Sequence, residues 1–460
     1  MFNDPDLRPL SSGPAMAEAA PLRVGMIGIG TVGAGTWRVL QRNQEAIRGR
    51  AGRGIEVVTV AARNLARAAS VLEGDGDPAH GVELTDDPLR VATHPGVDVV
   101  VEVAGGTGPA REWVLAAIAH GKHVVTANKA LLAEHGGEVF AAAQQRGVAV
   151  AYEGAVAVSI PIVKALREGL TANRIEWVAG IVNGTTNFIL TRMRDAGLSF
   201  DEALAEAQAL GYAEADPAFD VDGVDAAHKV TLLAANAFGM PVRFADAHVE
   251  GIRALQALDV ACAERLGYRV KLLGIARREA DGVNDGVELR VHPALVPADH
   301  LLAHVNGAMN AVLVKGDASG VTLYYGAGAG SEPTASAVIA DLVDLARQTA
   351  GAARPSVPPL AFHAQADLPV LGMPAVRTRH YLRVPLADGA AVAQVPLVLA
   401  DCGVTVQSLV RHAVPGQAAV HALVVTHPAL DADAQRAAER LRALPACTGP
   451  VARLRVEVLE

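Results

Sequence analysis

Asp225 and Lys229 stand four residues apart at the start of a helical pattern that opens near Gly223. Positions i and i+4 share one helix face, and an acid N-terminal to a lysine is the favourable order. A lysine held by a carboxylate and partly desolvated can deliver a proton to a developing alkoxide and remove it in the reverse direction. A second lysine, Lys129, follows the run HVVTAN and a small turn. A side chain there reaches the crevice beyond the carboxyl ends of a parallel sheet. Lys129 and Lys229 are both candidates for the proton, and the sequence leaves them unranked.

The stretch Gly28-Ile29-Gly30-Thr31-Val32-Gly33 has the spacing G-x-G-x-x-G after a short apolar run and at the opening of a helical one. The first glycine permits a tight turn, the second lets a pyrophosphate approach the backbone, and the third lets helix and strand pack closely. A dinucleotide cofactor is expected at Gly28, Gly30, Thr31, Val32 and Gly33. The second strand-like run, IEVVTVAARN, ends on Arg63 where an NAD site usually carries an acid. A cation there suits a 2′-phosphate, so NADP is favoured, with NAD the alternative.

These groups need a scaffold. Apolar runs at 22–29, 55–61, 97–103, 124–126 and 148–152 alternate with helical segments, which predicts βαβ units and a parallel sheet over 21–150. From 151 to 324 the pattern changes to helices at 161–170, 188–196, 201–211 and 223–238, then to alternating runs at 287–326 that read as antiparallel strands. Residues 334–349 form an amphipathic helix, expected to return to the first domain. Residues 351–377 are rich in proline and read as a linker. The tail, 378–460, has the order βαββαβ of a ferredoxin-like unit, expected to be self-contained. Residues 1–20 read as a disordered extension and not as a signal peptide. The fold class is thus α/β: a Rossmann-type parallel-sheet domain, an α+β catalytic and dimerisation domain, and a C-terminal ferredoxin-like domain.

Several segments together resemble the homoserine dehydrogenase family. They are VVTANKALLA at 124–133, EGAVAVSIP at 153–161, VNGTTNFIL at 182–190, GYAEADPAFDVDGVDAAHK at 211–229, NAVLVKGD at 310–317 and YGAGAGSEPTASAV at 325–338. The resemblance covers about 22–350. It implies NADP-dependent interconversion of aspartate semialdehyde and homoserine in threonine, methionine and isoleucine biosynthesis. Lys229 is then the proton donor with Asp225 its partner, and Lys129 lies between nicotinamide and substrate. The resemblance gives Glu214 the substrate ammonium; Asp220 and Asp225 are further carboxylates suited to it, with Tyr212 in the same block, and the backbone and hydroxyl of Gly184 and Thr185 suit its carboxylate. Gly328 and Gly330 belong to a glycine loop returning to the cofactor. The family also holds a monovalent cation (sodium or potassium) at a hinge, matched here by Glu153, Val156, Val158 and Ile160, although the glycine pair expected near 158–159 is Val158-Ser159. The tail is similar to an ACT domain, which implies an amino-acid effector, but its first turn is Asp388-Gly389-Ala390-Ala391 instead of the usual acid-x-Pro-Gly, so a role in assembly is the competing reading. A homodimer or homotetramer is expected on the same ground.

Composition narrows the alternatives. A net charge of −9 with no long basic run argues against nucleic acid or an anionic membrane as partner, and no apolar stretch reaches ~18 clean residues. Cys262, Cys402 and Cys447 form no metal spacing and read as reduced thiols of a cytoplasmic protein. None of the 15 histidines forms a zinc-like cluster. A phosphorylating aldehyde dehydrogenase would need a nucleophilic cysteine in the central domain, and Cys262 sits inside an apparent helix. A non-enzymatic sensor would not require both lysines.

Overall fold

Valine-rich strands buried on both faces build the first sheet, of which Val99–Glu102 (VVVE) is fully buried. The computed structural model describes residues 19–73, 81–279, 285–349, 357–413 and 419–460. Strands β1 (Leu22–Ile27), β2 (Ile55–Ala61), β3 (Glu83–Thr85), β4 (Val99–Glu102), β5 (His123–Thr126) and β6 (Val150–Ala151) pair in parallel in the order β3-β2-β1-β4-β5-β6. The order reverses between β1 and β4, which opens a crevice at their carboxyl ends. Five of these strands match the apolar runs. The sixth, β3, lies at the sheet edge and spans only three residues, too few for a periodic signal.

Among the described residues the second sheet has twelve strands. Its central path contains β7 (Ile175–Ile181), β9 (Tyr268–Glu279), β10 (Gly286–Pro297), β11 (Met309–Gly316) and β12 (Gly320–Ala327), while β8 (His248–Val249) and β13 (Val370–Leu371) pair with β10. Helix Val224–Phe238 packs on this sheet, bounded by Gly223 at φ +86° and Gly239 at φ +63°. All its residues from Asp225 onward are buried, including Lys229. Helix Ser331–Thr349 docks back on the first domain as expected, burying Ala335, Val338 and Leu342 in that domain's core. The helix expected over 161–170 is instead Ile162–Lys164 followed by a π turn, Ala165–Gly169.

Two expectations about the tail are corrected. Strands β14 (Arg377–Leu386), β15 (Val406–Ala413), β16 (Val420–Thr426) and β18 (Ala452–Val456) lie in the order β18-β14-β16-β15, with β17 (Ala429–Leu430) against β14. That is a ferredoxin-like sheet, but it is not closed on itself: β18 pairs in parallel with β10, Ala294 opposite Arg455. The proline-rich segment is not a free tether either. Pro359 O accepts from Tyr152 Oη at 2.8 Å, Ala366 N donates to Gly239 O at 2.8 Å, and β13 extends the sheet. Its first residues, 351–356, and nearly all of the expected N-terminal extension, 1–18, lie outside the described residues.

Candidate active site

After β1 the chain turns through Gly28, whose φ of +102° favours glycine. A Cβ there would lie 2.8 Å from the Ala104 nitrogen, and one on Gly33 would lie 2.2 Å from the Gly28 carbonyl oxygen. A Cβ on Gly30 would meet nothing within 4 Å. Two glycines are therefore required by the protein's own packing, and the third faces open space. Gly30 caps helix Thr31–Arg42 with no side-chain cap and no acid in its first turn. The N–H groups of Thr31 and Val32 at that end suit an anion, so these residues fit a pyrophosphate. Gly28 N donates to Ala61 O at 2.9 Å, which brings the end of β2 and the exposed Arg63 beside the turn. The loop of Gly328 and Gly330 reaches the same place: Ser331 Oγ donates to Thr31 O at 2.6 Å.

The switch-point crevice carries a carboxylate missed in the sequence. Glu102 ends β4 fully buried, accepting from Ala104 N at 2.9 Å, Gly105 N at 3.0 Å and Thr126 Oγ1 at 2.8 Å. It shapes the turn at Gly105 and Gly106, and Asn128 Nδ2 donates to Gly106 O at 2.7 Å. Asn128 also caps the helix that begins at Lys129, accepting from Leu131 N. The signal was present as an acid at the carboxyl end of an all-valine strand.

Lys129 and Lys229 converge on one carboxylate. Lys229 Nζ donates to Asp225 Oδ2 at 2.7 Å and to Val182 O at 2.8 Å, while Lys129 Nζ lies 3.2 Å from Asp225 Oδ1. Burial alone would raise the Asp225 carboxyl, but the two ammonium groups and the Asn183 hydrogen bond outweigh it and hold it at about 2. Burial lowers the Lys229 ammonium from its ordinary value, and the charge of Lys129 adds to that, against the pull of Asp225. The Asp220 carboxyl is raised by burial and by Asp225. Lys129 also stands 5.6 Å from the centroid of the Phe219 ring, a cation–π contact.

Asn183 organises these acids. Its Nδ2 donates to Asp220 Oδ1 at 2.7 Å and Asp225 Oδ2 at 2.8 Å, and its Oδ1 accepts from Thr186 N at 2.8 Å, capping helix Gly184–Asp195. Gly184 and Thr185 follow directly, and Thr185 Oγ1 donates to Tyr212 O at 2.7 Å. Glu214 is not drawn into the cluster. It is exposed on the same loop, and its carboxylate has no partner among the described residues. His228, beside Lys229, is buried between the rings of Phe219 and Phe244.

At the hinge, the Glu153 carboxylate accepts from Val163 N at 2.9 Å and Lys164 N at 2.8 Å. It caps the next helical turn, and the carbonyl oxygen of Glu153 accepts from Val156 N at 3.4 Å. Val158 has φ +56°, a left-handed conformation that favours glycine, although the residue there is valine. Among the described residues no group of three or more His, Cys, Asp or Glu could hold a metal ion, and no helix is long and apolar enough to cross a membrane.

Residues 28–153 match the family profile described as homoserine dehydrogenase, NAD binding domain, and residues 161–343 match the profile described as homoserine dehydrogenase. A homoserine dehydrogenase of Pseudomonas aeruginosa is 52% identical over 95% of this chain and 99% of its own length. The chain belongs to the homoserine dehydrogenase family. The crystal structure of a homoserine dehydrogenase from Thiobacillus denitrificans superposes with a TM-score of 0.89 at 54% identity, covering 96% of this chain and 99% of that one. A hyperthermophilic archaeal homoserine dehydrogenase in complex with NADPH covers 70% of this chain and 97% of its own, with a TM-score of 0.59 at 26% identity. Homoserine dehydrogenases are NAD(P)-dependent oxidoreductases that interconvert aspartate semialdehyde and homoserine in amino-acid biosynthesis.

Proposed function

We propose that Lys229 transfers the proton of this reaction, with Asp225 fixing its position and Lys129 beside the reacting end. The supporting observation is the shared Asp225 carboxylate. It leaves Lys229 with two of its three N–H bonds committed, to Asp225 and Val182 O, and one for a substrate oxygen. The nicotinamide, when bound, supplies or accepts the hydride. Lys229 gives its proton to the oxygen that becomes the hydroxyl and takes it back in the reverse direction. Glu214 and Asp220 hold the substrate ammonium, and Gly184 with Thr185 holds its carboxylate. Lys129 is the alternative donor, because its side chain is 31% exposed against 8% for Lys229.

NADP is the preferred cofactor, on the strength of the exposed Arg63 beside the glycine turn and of the archaeal relative's NADPH. A monovalent cation would be held by the carbonyl oxygens of Glu153, Val156, Val158 and Ile160. The tail would bind an amino-acid effector. Two copies would associate through the edge strand β12, where Val321, Leu323 and Tyr325 are exposed.

Turnover of homoserine tests the central assignment. Lys229→Ala should lower turnover about 10²–10⁴-fold while NADP binding, followed by calorimetry, stays near the parent value. Lys129→Ala should lose both turnover and cofactor affinity. Near-normal turnover in Lys229→Ala would move the proton to Lys129.

A further inference from the structure

Asn310, the second residue of β11, is 0% exposed, and neither its Oδ1 nor its Nδ2 has a hydrogen-bond partner among the described residues. Backbone and side-chain amides buried in this way are rare because the desolvation is uncompensated. The amide lies directly against Gly328. A Cβ built on Gly328 would be 2.2 Å from the Asn310 amide carbon and from Nδ2, and 2.4 Å from Oδ1. Gly328 is glycine because the Asn310 side chain fills the space its own would need.

The neighbours of Asn310 connect the two halves of the site. Across one strand boundary Asn310 pairs with Gly326, whose loop is tied to the hinge by Ser159 Oγ donating to Ala327 O at 2.7 Å. Across the other, Ala311 pairs with Ile181, one residue before Val182, whose carbonyl accepts from Lys229. Asn310 therefore stands between the Gly326–Gly330 loop and the strand end that holds the proposed acid and base.

We propose that Asn310 is a positioning residue for the cofactor: its amide hydrogen-bonds the backbone of the Gly326–Gly330 loop when that loop closes on the nicotinamide end. This rests on the reading that the loop borders the cofactor. An amide carries a donor and an acceptor together, matching the N–H and C=O groups that a glycine loop offers. A side chain kept for packing alone would not need an amide, because an apolar one of the same branching, such as leucine, leaves no polar atoms unpaired.

Asn310→Leu separates the two roles. Whatever its melting temperature without cofactor, its NADP dissociation constant, measured calorimetrically, should rise about tenfold, the effect of one hydrogen bond lost. The rise in melting temperature on saturating with NADPH should shrink in step, and kcat at saturating cofactor should change less than the cofactor KM. Asn310→Ala, which cannot overpack, is read in the same way. Unchanged affinity in these variants, whatever their stability, overturns the proposal and leaves Asn310 a packing residue. Gly328→Ala, which drives a Cβ into the amide, tests the underlying reading: if NADP affinity is unchanged there, the loop does not border the cofactor and the proposal falls with it.

Discussion

The Asp225 carboxylate faces two ammonium groups, and this fixes the direction of the titrations around it. With Asp225 held at about 2 it is an anion throughout the neutral range, so it orients but does not exchange protons. Lys229 is the group moved toward neutrality; if it is the base proposed above, removal of a proton from homoserine should become easier as pH rises through its lowered value. At the same scale stands cofactor choice. Arg63→Asp should weaken NADP binding by about 1–3 kcal/mol, the range of a charged hydrogen bond, and leave NAD nearly unaffected. Equal losses for both cofactors, measured by calorimetry, would show that Arg63 does not read the 2′-phosphate. The i,i+4 spacing of Asp225 and Lys229 was legible in the sequence because helix geometry alone brings them together. Asn183 was not, because its contacts to Asp220 and Asp225 cross 37 and 42 residues. The visible hint was an amide just before Gly-Thr-Thr, a helix-capping pattern.

At the scale of the element, helix Ser331–Thr349 joins the cofactor domain to the hinge through buried acids. Asp341 Oδ2 accepts from Glu153 N at 2.9 Å, and Lys164 pairs with Asp344. Burial raises the Glu153 carboxyl to about 7, and burial together with the Glu153 charge raises Asp341 to about 8. Both folded values exceed those of an unfolded chain, so the folded state holds protons that the unfolded state has released. Their contribution to stability is full below the ordinary carboxylate range and is lost as pH rises through about 7 and about 8. Asp341→Asn keeps an acceptor for Glu153 N without the titration. Its melting temperature should fall less steeply than the parent's between about pH 6 and pH 9; parallel curves in a pH series would show that Asp341 is not protonated in the fold. Periodicity revealed this helix and its docking. It could not reveal the acids' pairing, which depends on a hinge 188 residues away.

On the scale of the whole molecule, one sheet runs from the substrate domain into the tail, and along the seam the Arg290 and Arg383 ion pairs are buried while Glu250, paired with Arg455, is partly exposed. Arg290, 1% exposed, lies 3.0 Å from Glu288 and 2.5 Å from Glu457; Arg383 lies 2.6 Å from Asp259. Arg455 is 2.8 Å from Glu250. The βαββαβ order was legible because each element is local. The β10–β18 pairing was not, because β18 carries no mark of its partner and the two arginines that cross the seam look like ordinary surface charges in sequence. This changes what a truncation should do. A chain ending near Pro374 would keep the Lys129–Asp225–Lys229 cluster but strip Asp259 of Arg383 and Glu250 of Arg455, and leave Arg290 with one acid. Breaking a buried ion pair costs about 3–5 kcal/mol, a large part of the ~5–15 kcal/mol that holds a protein folded. The truncated chain should therefore melt far below the parent or aggregate, despite having every group proposed for catalysis. Glu457→Gln in the full chain isolates the seam: it should lower stability by about 3 kcal/mol in urea denaturation while NADP affinity and homoserine turnover stay near the parent's, because Glu457 touches neither site. If the truncated chain melts at the parent's temperature and Glu457→Gln costs nothing, the tail is an independent unit and the shared sheet contributes no stability.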